Sequence, residues 1–112
     1  DVLLGEWDFK GHVLSDCWAI VDFYTQKGEG GHGATKTLAE ASALAVKSGV
    51  SLNCGNSYLE GLPEAVKQGL ITEEEIDRQL AVLLRTRFKL GLFWYSNEPA
   101  TPFSKSSKTS LL

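Results

Sequence analysis

The feature that most limits the fold of this chain is a short apolar run, then an alanine-rich run, then a second short apolar run. The first run, residues 12–15, is β-like and stops at Asp16. Residues 38–47 favour helix, and Gly49 stands where a left-handed stop belongs. Residues 50–53 are too short for another helix and are predicted to form a strand. A strand–helix–strand order predicts a parallel pair, because crossovers of this kind join parallel strands.

Two capping-box patterns predict where two further boundaries lie. Thr37 stands three residues before Glu40, and Thr72 stands three residues before Glu75, so each pair can satisfy two free backbone N–H groups. After Thr72, apolar residues follow helical spacing, with acidic residues in the first turn and basic residues toward the end. We predict that this last helix ends by Gly91.

Residues 58–68 are predicted to form another helix, with Gly69 as its stop. Gly61 and Pro63 interrupt the pattern. We therefore predict that the regular part begins near Leu62, with the proline in the first turn.

The carboxyl-terminal residues differ in composition from the rest of the chain. After residue 97, Pro, Ser, Thr and Lys dominate, and we predict a folded domain over residues 1–95 and a tail or linker over residues 96–112. Parallel sheets are normally buried on both faces and contain several strands. A domain with only two predicted strands is therefore expected to be incomplete on its own.

The composition argues against several classes of function. A hydrophobic content of 43% and a charged content of 22% are typical of a globular domain. Nucleic acid is not an expected partner, because the net charge is -3 and the 11 basic residues are scattered. No apolar run approaches the roughly 20 residues of a membrane helix, so no membrane partner is expected. Cys17 and Cys54 lack a CxxC spacing, and with only two histidines no metal site is predicted.

Three ordered blocks of sequence resemble glycoside hydrolase family 3. Residues 5–17 are similar to the segment that runs into the seventh barrel strand and ends in a Ser-Asp-Cys nucleophile motif. Residues 40–50 and 52–56 resemble the helix and eighth strand that follow, and stretches between residues 64 and 93 resemble the closing helices. The resemblance implies an α/β fold, comprising strands 7 and 8 with their helices, from a (β/α)8 TIM-type barrel.

The same resemblance implies a fragment of a retaining, exo-acting β-glycosidase. Its substrates would be oligosaccharides or aryl β-glycosides with terminal β-linked xylose, or alternatively glucose. Asp16 would be the nucleophile, because it follows a strand and the active sites of such barrels lie at the carboxyl ends of strands. The family's acid/base usually lies outside this region. The fragment is therefore expected to be inactive alone, with the remainder of the barrel and a second domain as partners. No cofactor is implied, and the intact protein is expected to be secreted or periplasmic.

Two features beside Asp16 have alternative interpretations. Trp18 could stack on a sugar face or pack in the core, and the family more often has a small residue at this position. Cys17 and Cys54 would stand near the ends of adjacent parallel strands. They could form a disulfide, or they could be two buried thiols that behave as small apolar residues.

Two other classes of function compete with the glycosidase. The run from Gly28 to Gly33 satisfies the GxGxxG pattern, precedes a helix and follows strand-like residues 18–24, as in an NAD-type dinucleotide-binding βαβ unit. Against that interpretation, the second predicted strand ends in Asn53 and not in a ribose-binding acid. In the third interpretation, the chain is a non-catalytic fragment that binds a partner through the apolar face of residues 73–90.

Overall fold

The computed structural model describes residues 2–26 and 29–92, which contain two short parallel strands and three α-helices. The chain begins with a π-helical turn, Val2–Glu6, followed by strand β1, Val13–Leu14, and a short 3₁₀ helix, Val21–Phe23. The remaining elements are α1, Leu38–Lys47, β2, Val50–Leu52, α2, Ser57–Lys67, and α3, Glu73–Lys89. The predicted tail, residues 96–112, lies outside the described residues.

The two strands form the parallel pair that the sequence predicts. Val13 pairs with Val50 and Leu14 pairs with Leu52, with an irregularity in register between the two pairs. Helix α1 connects the strands, so the predicted strand–helix–strand unit is confirmed. Such a unit is a component of a (β/α)8 barrel, and the barrel itself stays a prediction.

Helix α1 begins and ends at the predicted residues. Thr37 Oγ1 accepts a hydrogen bond from Glu40 N at 3.2 Å, and Gly49 has a φ of +99° just after the helix. The Glu40 carboxylate accepts from Lys36 N at 2.7 Å. In this structure, therefore, only the Thr37 half of the predicted capping box is formed.

Helix α1 is buried on two sides because its small side chains let neighbouring elements approach closely. One cluster of buried residues contains Ala39, Ala43, Val46, Ala65 and Ile71. The other contains Ile20, Ala41 and Ala45. Tyr58 packs against both clusters. Because Ile20 is only 1% exposed, the chain that follows β1 is anchored against α1.

The predicted start of the regular part of α2 is wrong. The helix begins at Ser57, and Pro63 lies inside it instead of in its first turn. Tertiary hydrogen bonds hold the residues before the proline: Ser42 Oγ donates to Ser57 O at 2.9 Å. In addition, Tyr58 N donates to Asn53 Oδ1 at 3.3 Å. These bonds with α1 and the end of β2 stabilise a helical turn that local signals disfavour.

Gly61 lets α2 pack closely against α1. A Cβ atom at this position would overlap the Oγ atom of Ser42 and would lie 2.9 Å from the backbone oxygen of Leu38. The glycine that weakens the helical pattern in the sequence is therefore a contact point between helices. Gly69 has a φ of +68° and ends α2 as predicted.

Helix α3 has the complete capping box that the sequence predicts. Thr72 Oγ1 accepts from Glu75 N at 3.2 Å, and Thr72 N donates to the Glu75 carboxylate at 2.9 Å. Gly91, with a φ of +70°, follows its end. Within the described part of the chain, no helix combines the length and apolar character needed to cross a membrane.

Two polar contacts attach α3 to the strand region. Ser51 Oγ donates to Gln79 Oε1 at 2.8 Å, and Ser51 is buried within β2. His12 Nδ1 lies 3.1 Å from Thr86 Oγ1. These contacts connect α3 to β2 and to the residue before β1.

Candidate functional site

Asp16 lies two residues after the end of β1, on the side of the sheet where both parallel strands end. Its side chain is exposed, and its Oδ1 atom accepts a hydrogen bond from Cys17 N at 2.8 Å. A backbone N–H that bonds one carboxylate oxygen limits the orientations of the group and leaves the second oxygen for another contact. The carboxylate has the location that the sequence predicts, and its role as nucleophile stays a prediction.

Ser15 joins the ends of the two strands beside Asp16. Its backbone N donates to Leu52 O at 2.9 Å. Its Oγ accepts from Cys54 N at 3.0 Å and from Asn53 Nδ2 at 3.4 Å. The side chain thus extends the strand pairing beyond the short ladder. Its position as the last residue of the predicted strand, directly before Asp16, is the sequence signal that could have identified it.

Cys17 and Cys54 form a disulfide, which resolves the alternative that the sequence leaves open. Their Cα atoms lie 4.4 Å apart although the residues are separated by 37 positions in the chain. Next to this bridge, Trp18 N donates to Cys54 O at 2.9 Å. The residues after Asp16 are therefore attached to the end of β2 by a covalent bond and by a hydrogen bond.

Trp18 does not lie in the core of the described residues. It is 57% exposed and has a φ of +66°, which is uncommon for a bulky side chain. Gly55 packs against its six-membered ring, and a Cβ atom on Gly55 would lie 3.2 Å from Trp18 Cε3. Trp18 is thus not packed in the core of the described residues, and both packing against the remainder of a barrel and stacking on a sugar stay predictions.

The strand that the NAD-type interpretation requires before the glycine run is absent from its predicted position. Residues 18–24 contain a turn and the 3₁₀ helix Val21–Phe23 where the sequence was expected to be strand-like. Ile20 is buried there against α1. This prediction is therefore wrong.

The glycine run also differs from a phosphate-binding loop in its hydrogen bonds. Gly28 lies outside the described residues. His32 N donates to Asp22 O at 2.7 Å, and Gly33 N donates to Thr25 O at 2.9 Å. A dinucleotide site needs such N–H groups to point at the pyrophosphate, whereas these two bond the preceding segment.

One depression in the described structure lies away from Asp16. It has a volume of about 290 Å³, and its lining residues are Val46, Lys47, Glu75, Arg78 and Gln79. Helix α1 runs antiparallel to the strands, so its last residues lie toward the strands' amino ends and Asp16 lies at the opposite end. The Thr72 backbone N–H lowers the pKa of the Glu75 carboxyl.

No group of His, Cys, Asp or Glu among the described residues is arranged to hold a metal ion.

The sequence is similar to one class of named proteins, the xylosidases. "Probable exo-1,4-beta-xylosidase bxlB" of Aspergillus clavatus is 46% identical over 89 residues, which cover 79% of this chain and 11% of that protein. "Probable beta-D-xylosidase 6" of Arabidopsis thaliana is 40% identical over 88 residues, covering 79% and 10%. "Xylan 1,4-beta-xylosidase" of Xylanibacter ruminicola is 38% identical over 91 residues, covering 80% and 10%. No protein-family model matches the chain.

These similarities extend over most of the chain but over a small part of each relative. The chain spans about one tenth of the length of the xylosidases it matches. It is therefore homologous to a segment of xylosidases, which supports its assignment to the glycoside hydrolases.

Proposed function

We propose that this chain contributes the last two βα units to the (β/α)8 barrel of a family 3 glycoside hydrolase, with Asp16 as the nucleophile. The whole enzyme would be a retaining, exo-acting β-xylosidase that removes terminal xylose from oligosaccharides. One observation carries the proposal: in a chain similar to xylosidases, an exposed carboxylate stands where two parallel strands end. Active sites of such barrels lie on that side of the strands.

In the proposed reaction, an oxygen of Asp16 forms a bond to the anomeric carbon while the bond to the leaving oxygen breaks. A second carboxyl group, about 5–5.5 Å from the first in retaining enzymes, gives its proton to the leaving oxygen. That group then deprotonates a water molecule, which attacks the anomeric carbon and releases Asp16. Since Cys17 N donates a hydrogen bond to Oδ1 of Asp16, Oδ2 is the proposed attacking atom.

The second carboxyl group is assigned to a part of the longer protein outside this chain. Two observations support a need for the remainder of a barrel. Leu14 and Leu52, which pair across the strands, are 55% and 39% exposed. Further strands beside β1 and β2 would cover such side chains, because parallel sheets are normally buried on both faces. The chain alone is thus proposed to be inactive.

The compartment of the intact protein is proposed to be secretory or periplasmic. The Cys17–Cys54 disulfide supports this, because disulfides form and persist in oxidising environments and are rare in the cytosol. A glycosidase that acts on polymeric plant glycans would meet its substrate there.

Hydrolysis of aryl β-xyloside and aryl β-glucoside tests the proposal. The 112-residue chain and the full-length gene product that carries it are assayed side by side. We expect activity only in the longer protein, with aryl β-xyloside as the better substrate. We expect Asp16→Asn to lower its kcat about 10⁴-fold, as the loss of a central catalytic group does. The matched control is Asp77→Asn, at an exposed position on α3.

Covalent labelling tests the role of Asp16 directly. A 2-deoxy-2-fluoro-β-xyloside slows both steps of a retaining reaction, and a dinitrophenolate leaving group keeps the first step faster than the second, so the glycosyl-enzyme accumulates. Mass spectrometry of the digested protein should then find the added sugar on the peptide that contains Asp16. A label on another carboxylate, or an Asp16→Asn protein that remains active, would disprove the assignment.

A further inference from the structure

We propose that Trp18 is a substrate-stacking residue and that the Cys17–Cys54 disulfide is the element that positions its indole ring. The inference rests on the proposed glycosidase function, because it assigns the ring a sugar or aryl group of the glycoside as its ligand. Neither the sequence resemblance nor the named relatives assign a role to this tryptophan, which departs from the small residue usual at its position.

Trp18 and Ile20, two residues apart in the chain, differ sharply in exposure. Ile20 is 1% exposed and packs into the core, whereas Trp18 is 57% exposed. The segment is therefore firmly anchored, and within the described residues the indole is exposed beyond the ends of the strands. A rigid attachment with an open aromatic surface suits recognition, because little conformational entropy is lost when a ligand binds.

A disulfide and a hydrogen bond hold the backbone of Trp18. Its φ of +66° persists only if the surroundings enforce it, since large side chains rarely adopt this region. Two bonds enforce it: the disulfide at the preceding residue, Cys17, and the hydrogen bond from Trp18 N to Cys54 O at 2.9 Å. Both bonds reach the same residue at the end of β2.

Gly55 lies against the indole ring of Trp18. This glycine has a φ of +121°, and a Cβ atom on it would lie 3.2 to 3.5 Å from three atoms of the six-membered ring. A side chain at Gly55 would therefore push against the indole. The glycine supports one part of the ring, and the exposed part is available to a ligand.

The position relative to Asp16 supports a substrate as the ligand. Residues two apart in the chain have Cα atoms at most roughly 7 Å apart. A glycoside whose anomeric carbon meets Asp16 thus brings a ring, either sugar or aryl, within reach of the indole. The apolar C–H face of a pyranose and the flat face of an aryl group are both suited to an aromatic surface.

Kinetics of the full-length gene product test the stacking role. We expect Trp18→Ala to raise KM for an aryl β-xyloside roughly tenfold, the size expected for one lost stacking contact, with a smaller change in kcat. Trp18→Phe should raise KM much less than Trp18→Ala does, because phenylalanine keeps a flat ring. Trp7→Ala, at a tryptophan that is 72% exposed, is the matched control and should leave KM unchanged.

A double-mutant cycle tests whether the disulfide acts through Trp18. We expect Cys17→Ser with Cys54→Ser to raise KM in the natural protein, and to raise it little further when Trp18→Ala is already present. Additive effects on KM would overturn the positioning role of the disulfide. An unchanged KM in Trp18→Ala would overturn the stacking role.

Fluorescence anisotropy of the 112-residue chain gives a readout that does not require activity. Trp7→Phe with Trp94→Phe leaves Trp18 as the only tryptophan, and Trp18→Phe with Trp94→Phe leaves Trp7. Reduction of the disulfide should lower the anisotropy of Trp18 and leave that of Trp7 unchanged, with the helical circular dichroism retained. Equal changes at both tryptophans, or loss of the helical signal, would show a general structural role and overturn the proposal.

The two proposals fail in different ways. If Asp16→Asn abolishes hydrolysis while Trp18→Ala and the cysteine variants leave KM unchanged, only the stacking inference is wrong. If Asp16→Asn retains activity, the proposed function is wrong, whatever the tryptophan variants show.

Discussion

Cys17 and Cys54 are joined by a disulfide across the ends of two adjacent parallel strands, with their Cα atoms 4.4 Å apart. The bridge closes a loop that contains α1 and β2, since 37 positions separate the two cysteines in the chain. The hydrogen bonds of Ser15 and Trp18 to Cys54 lie beside it. The loop that carries Asp16 is thus attached to β2 at several points.

Removal of this bridge should destabilise the chain. Closing a loop of this length restricts the unfolded chain, and the expected effect on the free energy of unfolding is about 2–4 kcal/mol. Cys17→Ala with Cys54→Ala should therefore lower the urea midpoint, measured by circular dichroism. The natural chain in reductant is the control, and it should behave like the double variant. Equal midpoints for the variant and the oxidised chain would contradict the prediction.

Replacement of Gly61 tests the contact between α1 and α2. Gly61→Ala adds a methyl group that meets Ser42 Oγ and the Leu38 backbone oxygen, so the helices must separate. We expect the overpacking to cost about 1–3 kcal/mol, more than the gain in helix propensity. Thermal unfolding measures the change. Gly5→Ala is the matched control, because a Cβ atom there has nothing within 4 Å; a loss of stability as large at Gly5 would argue against the contact.

Tyr58 connects α2 to β2 by a partly buried hydrogen bond. Its hydroxyl donates to Val50 O at 2.7 Å, and its ring packs against both core clusters. Tyr58→Phe keeps the ring and removes the hydrogen bond from the hydroxyl to Val50 O, so we expect a loss of about 0.5–1.5 kcal/mol in the free energy of unfolding. Chemical denaturation at neutral pH measures it, and a variant as stable as the natural chain would contradict the predicted role.

The same residue predicts a dependence of stability on alkaline pH. Burial raises the pKa of the Tyr58 hydroxyl above its ordinary value of 10.0. The folded chain therefore keeps the proton longer than the unfolded chain does. The resulting stability is fully present below pH 10.0 and is lost as the pH rises through the higher folded pKa. Tyr58→Phe should lack this alkaline component in denaturation curves measured on both sides of pH 10.0.

Glu75 predicts that the stability of the folded chain depends on pH in the acidic range. The hydrogen bond from Thr72 N lowers the pKa of its carboxyl below the ordinary value of 4.5. Its contribution to stability is fully present above that value and is lost as the pH falls through the lower folded pKa. Glu75→Gln should lack this component in acid denaturation followed by circular dichroism. Glu74→Gln, at an exposed position in the same turn, is the matched control for the change of charge, and a Glu75→Gln curve that keeps the acid component would contradict the prediction.

The elements that were predicted correctly are those whose signals lie within one turn of the chain. Thr37 and Thr72 accept from the N–H groups three residues on, and Gly49, Gly69 and Gly91 have the positive φ of helix stops. Such contacts depend on neighbours in sequence, so a pattern of residue types is enough to indicate them.

The errors occur where distant residues determine the local structure. Pro63 suggested a late start for α2, but Ser42, fifteen residues before Ser57, bonds the turn that precedes the proline. Residues 18–24 were expected to be strand-like, but the burial of Ile20 against α1 favours a turn and a 3₁₀ helix. A local pattern contains no information about these partners.

By itself, the sequence determined the order of strand, helix and strand, the Thr37 and Thr72 caps, the glycine stops of the helices, and the position of Asp16 just after a strand. It also carried the similarity to xylosidases, because homology is a property of sequence. Only the tertiary structure decided that Cys17 bonds Cys54, that Pro63 lies within a helix, and that Trp18 faces outward over Gly55. The reason is physical: these outcomes depend on groups brought together by the parallel pairing of β1 and β2 and by the packing of α1, not on neighbours along the chain.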